Sequence, residues 1–234
     1  MSSASPRFLV LDTSTEWCSV ALWRDGVILA RRELAEQRHS SLILPMVDGV
    51  LKEAGVALAE LDGLAYGAGP GSFTGLRIAC AVTQGLAFGA DLPVVGISTL
   101  ESIAEQTGDH AVLVALDARM AEVYWGAYRR EGGRWRAVVE PRLALPESVC
   151  VPEGDDWVGA GSGFAALADI LLPRLRERLV RVDASLVPDA AAMAPLAAAA
   201  FARGEAVDAA EAAPIYLRDK VALTVDERRS KAAA

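Results

Sequence analysis

Two short apolar runs, each ending in an aspartate, constrain this chain more than any other feature. Phe8-Leu9-Val10-Leu11 runs into Asp12, and Val112-Leu113-Val114-Ala115-Leu116 runs into Asp117. Each run has the length and continuity of a buried strand. After Asp12 the polar turn Thr13-Ser14-Thr15-Glu16 leads to a second strand over residues 18–23. Asp25-Gly26 is a two-residue hairpin signal that returns the chain through Val27-Ile28-Leu29-Ala30. After Asp117 a second strand over residues 123–128 meets the turn Glu131-Gly132-Gly133-Arg134 and returns through residues 135–139. The two halves open alike, a weak internal repeat visible in pattern more than in identity. Antiparallel strands followed by alternating helix and strand predict a mixed α/β fold, not a purely parallel one.

The remaining elements follow from periodicity. Leu42, Met46, Val50 and Leu51, with Ile43 and Val47 beside them, predict a helix over residues 41–54. Ser40 or Ser41 can cap it, Pro45 sits near its first turn, and Gly55 stops it. Leu64-Ala65-Tyr66 reads as a fourth strand, and Gly67 opens a glycine-rich turn that ends at Gly75. Helices over 74–88 and 99–106 flank a fifth strand over 92–97. Beyond residue 140 a strand at Trp157-Val158-Gly159-Ala160 and helices over 164–175 and 190–202 are expected. The predicted organisation is one lobe over 1–108, a second over 109–218, and a loose tail over 219–234.

Composition narrows the function classes. The chain has 234 residues with 23 Lys and Arg against 31 Asp and Glu, a net charge of −8. That balance lacks the basic footprint of a stand-alone nucleic-acid binder. Cys18, Cys80 and Cys150 are widely spaced and form no CxxC pair, which argues against a zinc ribbon or a disulfide framework. Reduced thiols, no signal-length apolar run before Phe8 and no membrane-length apolar stretch make cytoplasmic localisation, with no membrane partner, the expectation.

The obvious chemistries fail one by one. The turn Gly67-Ala68-Gly69-Pro70-Gly71-Ser72-Phe73-Thr74-Gly75-Leu76-Arg77 is no P-loop, because no Gly-Lys-Ser/Thr follows, and its spacing is not GxGxxG. A structural elbow is favoured over an anion site, with Gly69, Gly71 and Gly75 allowing close backbone approach. Asp12 has no second carboxylate at the end of the fourth strand, so a two-metal site is disfavoured. Hydrogen bonding to turn amides is the expectation for Asp12 and for Asp117. His39 and His110 form no HExxH or HxxxH pair, and His39 is expected to be exposed at a helix entrance. No GxSxG elbow occurs, since Gly161-Ser162-Gly163 is too short to count. The helices over 41–54 and 74–88 are apolar on more than one face, which leaves core and interface evenly open.

Five motifs in order resemble one family. They are Leu11-Asp12-Thr13-Ser14-Thr15 with Cys18-Ser19-Val20-Ala21-Leu22; His39-Ser40 leading to Leu44-Pro45-Met46; Gly69-Pro70-Gly71-Ser72-Phe73-Thr74-Gly75-Leu76-Arg77; Pro93-Val94-Val95-Gly96-Ile97-Ser98-Thr99-Leu100; and Pro214-Ile215-Tyr216-Leu217-Arg218. The sequence is similar to the TsaB (YeaZ) family of bacterial tRNA threonylcarbamoyladenosine biosynthesis, closely over about residues 7–105 and more loosely beyond. The resemblance implies an actin-like ATPase (ASKHA) fold of two RNase H-like lobes, with mixed sheets flanked by helices. It implies a non-catalytic subunit that docks the related catalytic subunit TsaD, with the ATPase TsaE joining. That complex transfers threonylcarbamoyl to N6 of adenosine 37 in ANN-decoding tRNAs.

The metal-binding HxxxH of TsaD corresponds here to Thr99 and Ile103, neither of which can be that ligand. The resemblance therefore implies no cofactor on this chain alone, with ATP and a metal ion in the partner, and tRNA contact indirectly through the complex. It implies docking through the two apolar helices, with Leu44, Val47, Asp48, Leu51, Arg77, Cys80, Thr83 and Gln84 as contact residues and a homodimer when the chain is alone. The alternatives are a glycoprotease-like peptidase and an ATP-dependent kinase of the same superfamily.

Overall fold

The computed structural model describes residues 6–218, so the expected tail over 219–234 lies outside the described residues. The first sheet contains β1 (Arg7–Asp12), β2 (Trp17–Arg24), β3 (Val27–Leu34), β4 (Gly63–Gly69) and β5 (Val94–Ser98), in the order β3-β2-β1-β4-β5. The second contains β6 (Ala111–Asp117), β7 (Val123–Glu131), β8 (Arg134–Ala144), β9 (Val158–Ala160) and β10 (Val182–Asp183), in the order β10-β9-β6-β7-β8. Read from the hairpin edge, the two orders are the same. In each, the first strand pairs antiparallel with the second and parallel with the fourth. The internal repeat is therefore a repeat of topology, and it gives the mixed-sheet, two-lobe architecture expected of the actin-like fold.

The helices are α1 (His39–Ala54), α2 (Phe73–Ala90), α3 (Thr99–Thr107), α4 (Gly163–Ala166), α5 (Ala168–Leu175) and α6 (Ala190–Ala202). Strand alternation sorts them into layers. Leu9 and Leu11 face α1 and α2, whereas Val10 faces α6. Leu113 and Ala115 face α5, whereas Val112, Val114 and Leu116 face α3. So α1 and α2 cover the outside of the first sheet, α4 and α5 cover the outside of the second, and α3 and α6 fill the space between. Although α6 follows the second sheet in sequence, it packs on the first through Ala190, Met193, Ala194, Ala197 and Ala200. Its alanines let it lie close to the sheet while also meeting α3.

Four local expectations change. α1 begins at His39 after Arg38 and has no side-chain cap, so neither Ser40 nor Ser41 plays that role. The Ser41 hydroxyl instead donates to the Arg38 carbonyl. Pro45 lies inside the helix, not in its first turn. The single helix expected over 164–175 is broken at Leu167 (φ −126°, ψ 35°). Leu167 itself stays paired, since its N–H donates to the Gly163 carbonyl and its carbonyl accepts from Ile170 and Leu171. β8 runs to Ala144, past the expected end, with irregular pairing between Trp125 and Tyr128 of its partner strand.

Candidate functional site

Two surfaces stand out: the cleft between the lobes and the outer face of α1 and α2. The cleft floor is the glycine turn. A Cβ on Gly75 would lie 1.9 Å from the Thr13 carbonyl oxygen, and one on Gly71 would lie 2.6 Å from that of Ser14. These glycines let the β4–α2 turn lie directly on the β1–β2 turn. The Ser72 N–H donates to the Ser14 carbonyl at 2.7 Å and the Thr13 hydroxyl donates to the Gly75 carbonyl at 2.7 Å. Gly69, at φ +127°, would place a Cβ 2.5 Å from the Ile215 carbonyl oxygen. The Ser72 side chain caps α2 by accepting the Gly75 N–H. The turn is thus an elbow that joins three chain segments.

Asp12 lies beneath this elbow and is fully buried. One carboxyl oxygen accepts from the Ser14 hydroxyl at 3.1 Å, and the Ser14 backbone also bonds the group. The other oxygen has no partner among the described residues. A Cβ on Gly67 would come within 2.0 Å of it. Burial pushes the Asp12 carboxyl up to about 7, with Asp189 adding to the rise and Ser14 and Arg32 opposing it. Asp117 lies open to the cleft, accepts the Arg119 N–H at 2.8 Å and pairs with the Arg119 guanidinium at 3.1 Å. Each aspartate thus meets the turn-amide expectation, while the remaining oxygen pairs with the Arg119 guanidinium at Asp117 and has no partner among the described residues at Asp12.

His39 is half-buried, not exposed, and its Nε2 bonds the Thr15 carbonyl at 2.8 Å. Cys18 is buried, and that burial pushes its thiol up to about 12, so it is a neutral packing group at physiological pH. Among the described residues no group of three His, Cys, Asp or Glu side chains could hold a metal ion. Thr99 and Ile103 on α3 are both fully buried. The Thr99 hydroxyl donates to the Pro70 carbonyl, and Ile103 belongs to the core between α3 and the second sheet. The cleft itself measures about 990 Å³ and is lined on both sides, by Ser14, Thr15, Ser72 and Phe73 from one lobe and Asp117, Met120 and Tyr124 from the other.

The outer helices divide the expected contact residues in two. Leu44 is 50% exposed, and Asp48 is exposed and pairs with Lys52 at 2.6 Å. Arg77 is exposed. Gln84 is half-buried, and its amide donates to the carbonyls of Ala209 and Ala212. Val47, Leu51, Cys80 and Thr83 point inward and are buried. Within this chain α1 and α2 pack on each other and on the sheet, and these four side chains are part of that packing, not of the exposed face. Ala81, Gly85, Phe88 and Gly89, which spacing did not single out, are all exposed on α2. Phe88 is 63% exposed, and a Cβ on Gly85 or Gly89 would meet nothing within 4 Å. The signal was present in the sequence, since Arg77, Ala81, Gly85 and Phe88 follow one helical stripe and two of the unforced helical glycines lie along or beside it.

A family model described as "TsaD: tRNA N6-adenosine threonylcarbamoyltransferase" matches residues 28–225. The tRNA threonylcarbamoyladenosine biosynthesis protein TsaB of Escherichia coli is 43% identical over 92% of this chain and 96% of its own. The protein of the same name from Haemophilus influenzae is 39% identical over 91% of this chain and 94% of its own. The solved structure of YeaZ from Pseudomonas aeruginosa superposes with a TM-score of 0.82 at 44% identity, covering 91% of this chain and all of that one.

Proposed function

The chain belongs to the TsaB family of tRNA threonylcarbamoyladenosine biosynthesis proteins, and on that premise we propose that it is a non-catalytic subunit that docks TsaD through α1 and α2. The observation that carries the docking reading is the outer face of these helices. Leu44 and Phe88 expose large apolar side chains there, and Gly85 and Gly89 leave room for another backbone to approach. Helical glycine costs about 1 kcal/mol relative to alanine, and among the described residues nothing requires it at either position. The contact set is Leu44, Asp48, Arg77 and Gln84, extended by Ala81 and Phe88.

The non-catalytic reading is supported by α3. The family resemblance puts Thr99 and Ile103 at the positions of the metal-binding histidines of the related catalytic subunit, and both are buried in this chain. On this reading ATP and the metal ion act in TsaD, TsaE joins the assembly, and tRNA is engaged through the complex in the cytoplasm. Alone, the chain pairs with a second copy through the same face, because an apolar face of this kind is covered in solution.

Size-exclusion chromatography with light scattering, on this chain alone and mixed with TsaD, tests the proposal. The expected results are a homodimer alone and a species containing both chains in the mixture. Reconstituted tRNA modification should require both proteins. A chain that modifies tRNA without TsaD, or that forms no complex while folded, overturns the proposal. A calorimetric titration of the chain alone with ATP and magnesium should be flat, and a binding isotherm would favour the kinase reading.

A further inference from the structure

We propose that residues 215–218 form a strap that positions Arg77 to receive a carboxylate of the docked protein. The inference rests on the docking reading above and adds the chemistry of one contact and the element that sets it.

The strap crosses from one lobe to the other. At its start the Ile215 N–H donates to the Ala68 carbonyl at 2.7 Å, and Gly69 lacks the Cβ that would otherwise block this approach. Tyr216 then lies against α2, with its ring centroid 5.2 Å from that of Phe73. Leu217 packs into the core of the second lobe beside Leu116 and Tyr124. Arg218 closes the strap by pairing with Glu122 at 2.6 Å and donating to the Ala118 carbonyl at 2.9 Å. Successive side chains thus fix the strap to the first lobe and then to the second.

Arg77 is held by this strap. Its guanidinium carbon sits 3.8 Å from the Phe73 ring centroid and 5.8 Å from that of Tyr216. Its Nε donates to the Tyr216 hydroxyl at 2.9 Å. The stack and the Nε bond define the guanidinium plane. Its two Nη nitrogens have no hydrogen-bond or ion-pair partner among the described residues, although the residue is exposed. An arginine already ordered by stacking loses little further freedom when its fork meets a planar anion, and a carboxylate fits that fork with two parallel bonds. Arg77 heads the stripe that ends at Phe88, about 16 Å along the helix, so it sits at the charged end of an otherwise small and apolar face. The net charge of −8 disfavours a polyanion here and favours a single acidic side chain on a protein.

The test is calorimetry of TsaD binding by wild type and by Arg77→Gln, Arg77→Lys, Tyr216→Phe and Arg218→Ala, each at two salt concentrations, with thermal melts to verify folding. Arg77→Gln is expected to weaken binding by about 10- to 100-fold and to flatten the salt dependence. Arg77→Lys should recover only part of the loss, because the ammonium lacks the fork. Tyr216→Phe should cost about 3-fold, and Arg218→Ala should cost a similar amount by freeing the far end of the strap. If Arg77→Gln and Arg77→Lys bind as wild type does with unchanged salt dependence, the inference is wrong and the docking reading stands. If wild type forms no complex, both fall. If Arg77→Gln loses affinity for a short RNA duplex but not for TsaD, the anion is a phosphate and the carboxylate assignment is overturned.

Discussion

Asp12 and Asp117 close the same strand of the same repeat, yet they sit in opposite environments. Asp12 is sealed beneath the glycine elbow with one oxygen unpartnered, and its carboxyl is pushed up to about 7. Asp117 keeps its place at the cleft, paired to Arg119. The glycine turns differ in step. Gly75 would drive a Cβ to 1.9 Å from the carbonyl oxygen of Thr13, the residue after the aspartate, whereas Gly161 and Gly163 in the second lobe would place theirs 2.5 and 2.9 Å from the carbonyl oxygen of Ala115, two residues before it. Both turns lie against backbone, the first beyond the aspartate and the second before it. The elbow that lies past Asp12 covers its carboxyl, whereas the turn that lies before Asp117 leaves that carboxyl at the cleft.

That contrast can be broken most strongly at the elbows. Gly75→Ala should cost at least about 4 kcal/mol, since backbone must move, whereas Gly163→Ala should cost about 1–3 kcal/mol. Equal urea midpoints for the two variants would show that the closures are equivalent. Val47→Arg should cost about 3–5 kcal/mol by burying a charge in the first lobe, while Leu44→Arg, one turn away and exposed, should leave the melt unchanged and weaken association.

The paired aspartates give a pH test. Because burial raises Asp12 in the folded state, the unfolded chain ionises first. The cost to stability is absent below about pH 4, grows up to about pH 7 and is constant above. Asp12→Asn should therefore gain over wild type across that window, by a few kcal/mol at its upper end. Glu101, also pushed up to about 7 by burial, tilts both proteins alike, so the difference between variant and wild type is the quantity to read. A constant gap from pH 4 to pH 8 would mean that Asp12 ionises normally in the fold. The smallest expected effect is Gly85→Ala, which should stabilise the chain by about 0.5–1 kcal/mol while weakening partner binding, because its Cβ enters open space in the monomer.

Much of the fold was legible because strands and helices announce themselves by period. The apolar runs before Asp12 and Asp117, the Asp25-Gly26 turn and the alanine-rich helix from Ala190 all appear where the pattern placed them. β10, two residues long, carries no period to read. The break at Leu167 was also hidden, since no Gly or Pro stands there. The contact surface was less legible. Val47 and Cys80 lie on apolar faces that spacing cannot divide between the chain's own core and a partner, and the structure buries both in the core of the first lobe.

The sequence by itself determined the repeated strand pattern, the glycine elbow and the family, because these depend on local period, backbone freedom and ordered motifs. Only the tertiary structure decided that Asp12 is sealed, that Thr99 and Ile103 are core, that half of the expected contact residues face inward, and that a strap from residue 215 reaches Arg77. Each of these depends on segments far apart in the chain meeting within a few ångströms, and burial, pairing and pKa are set by those meetings, not by the residues alone.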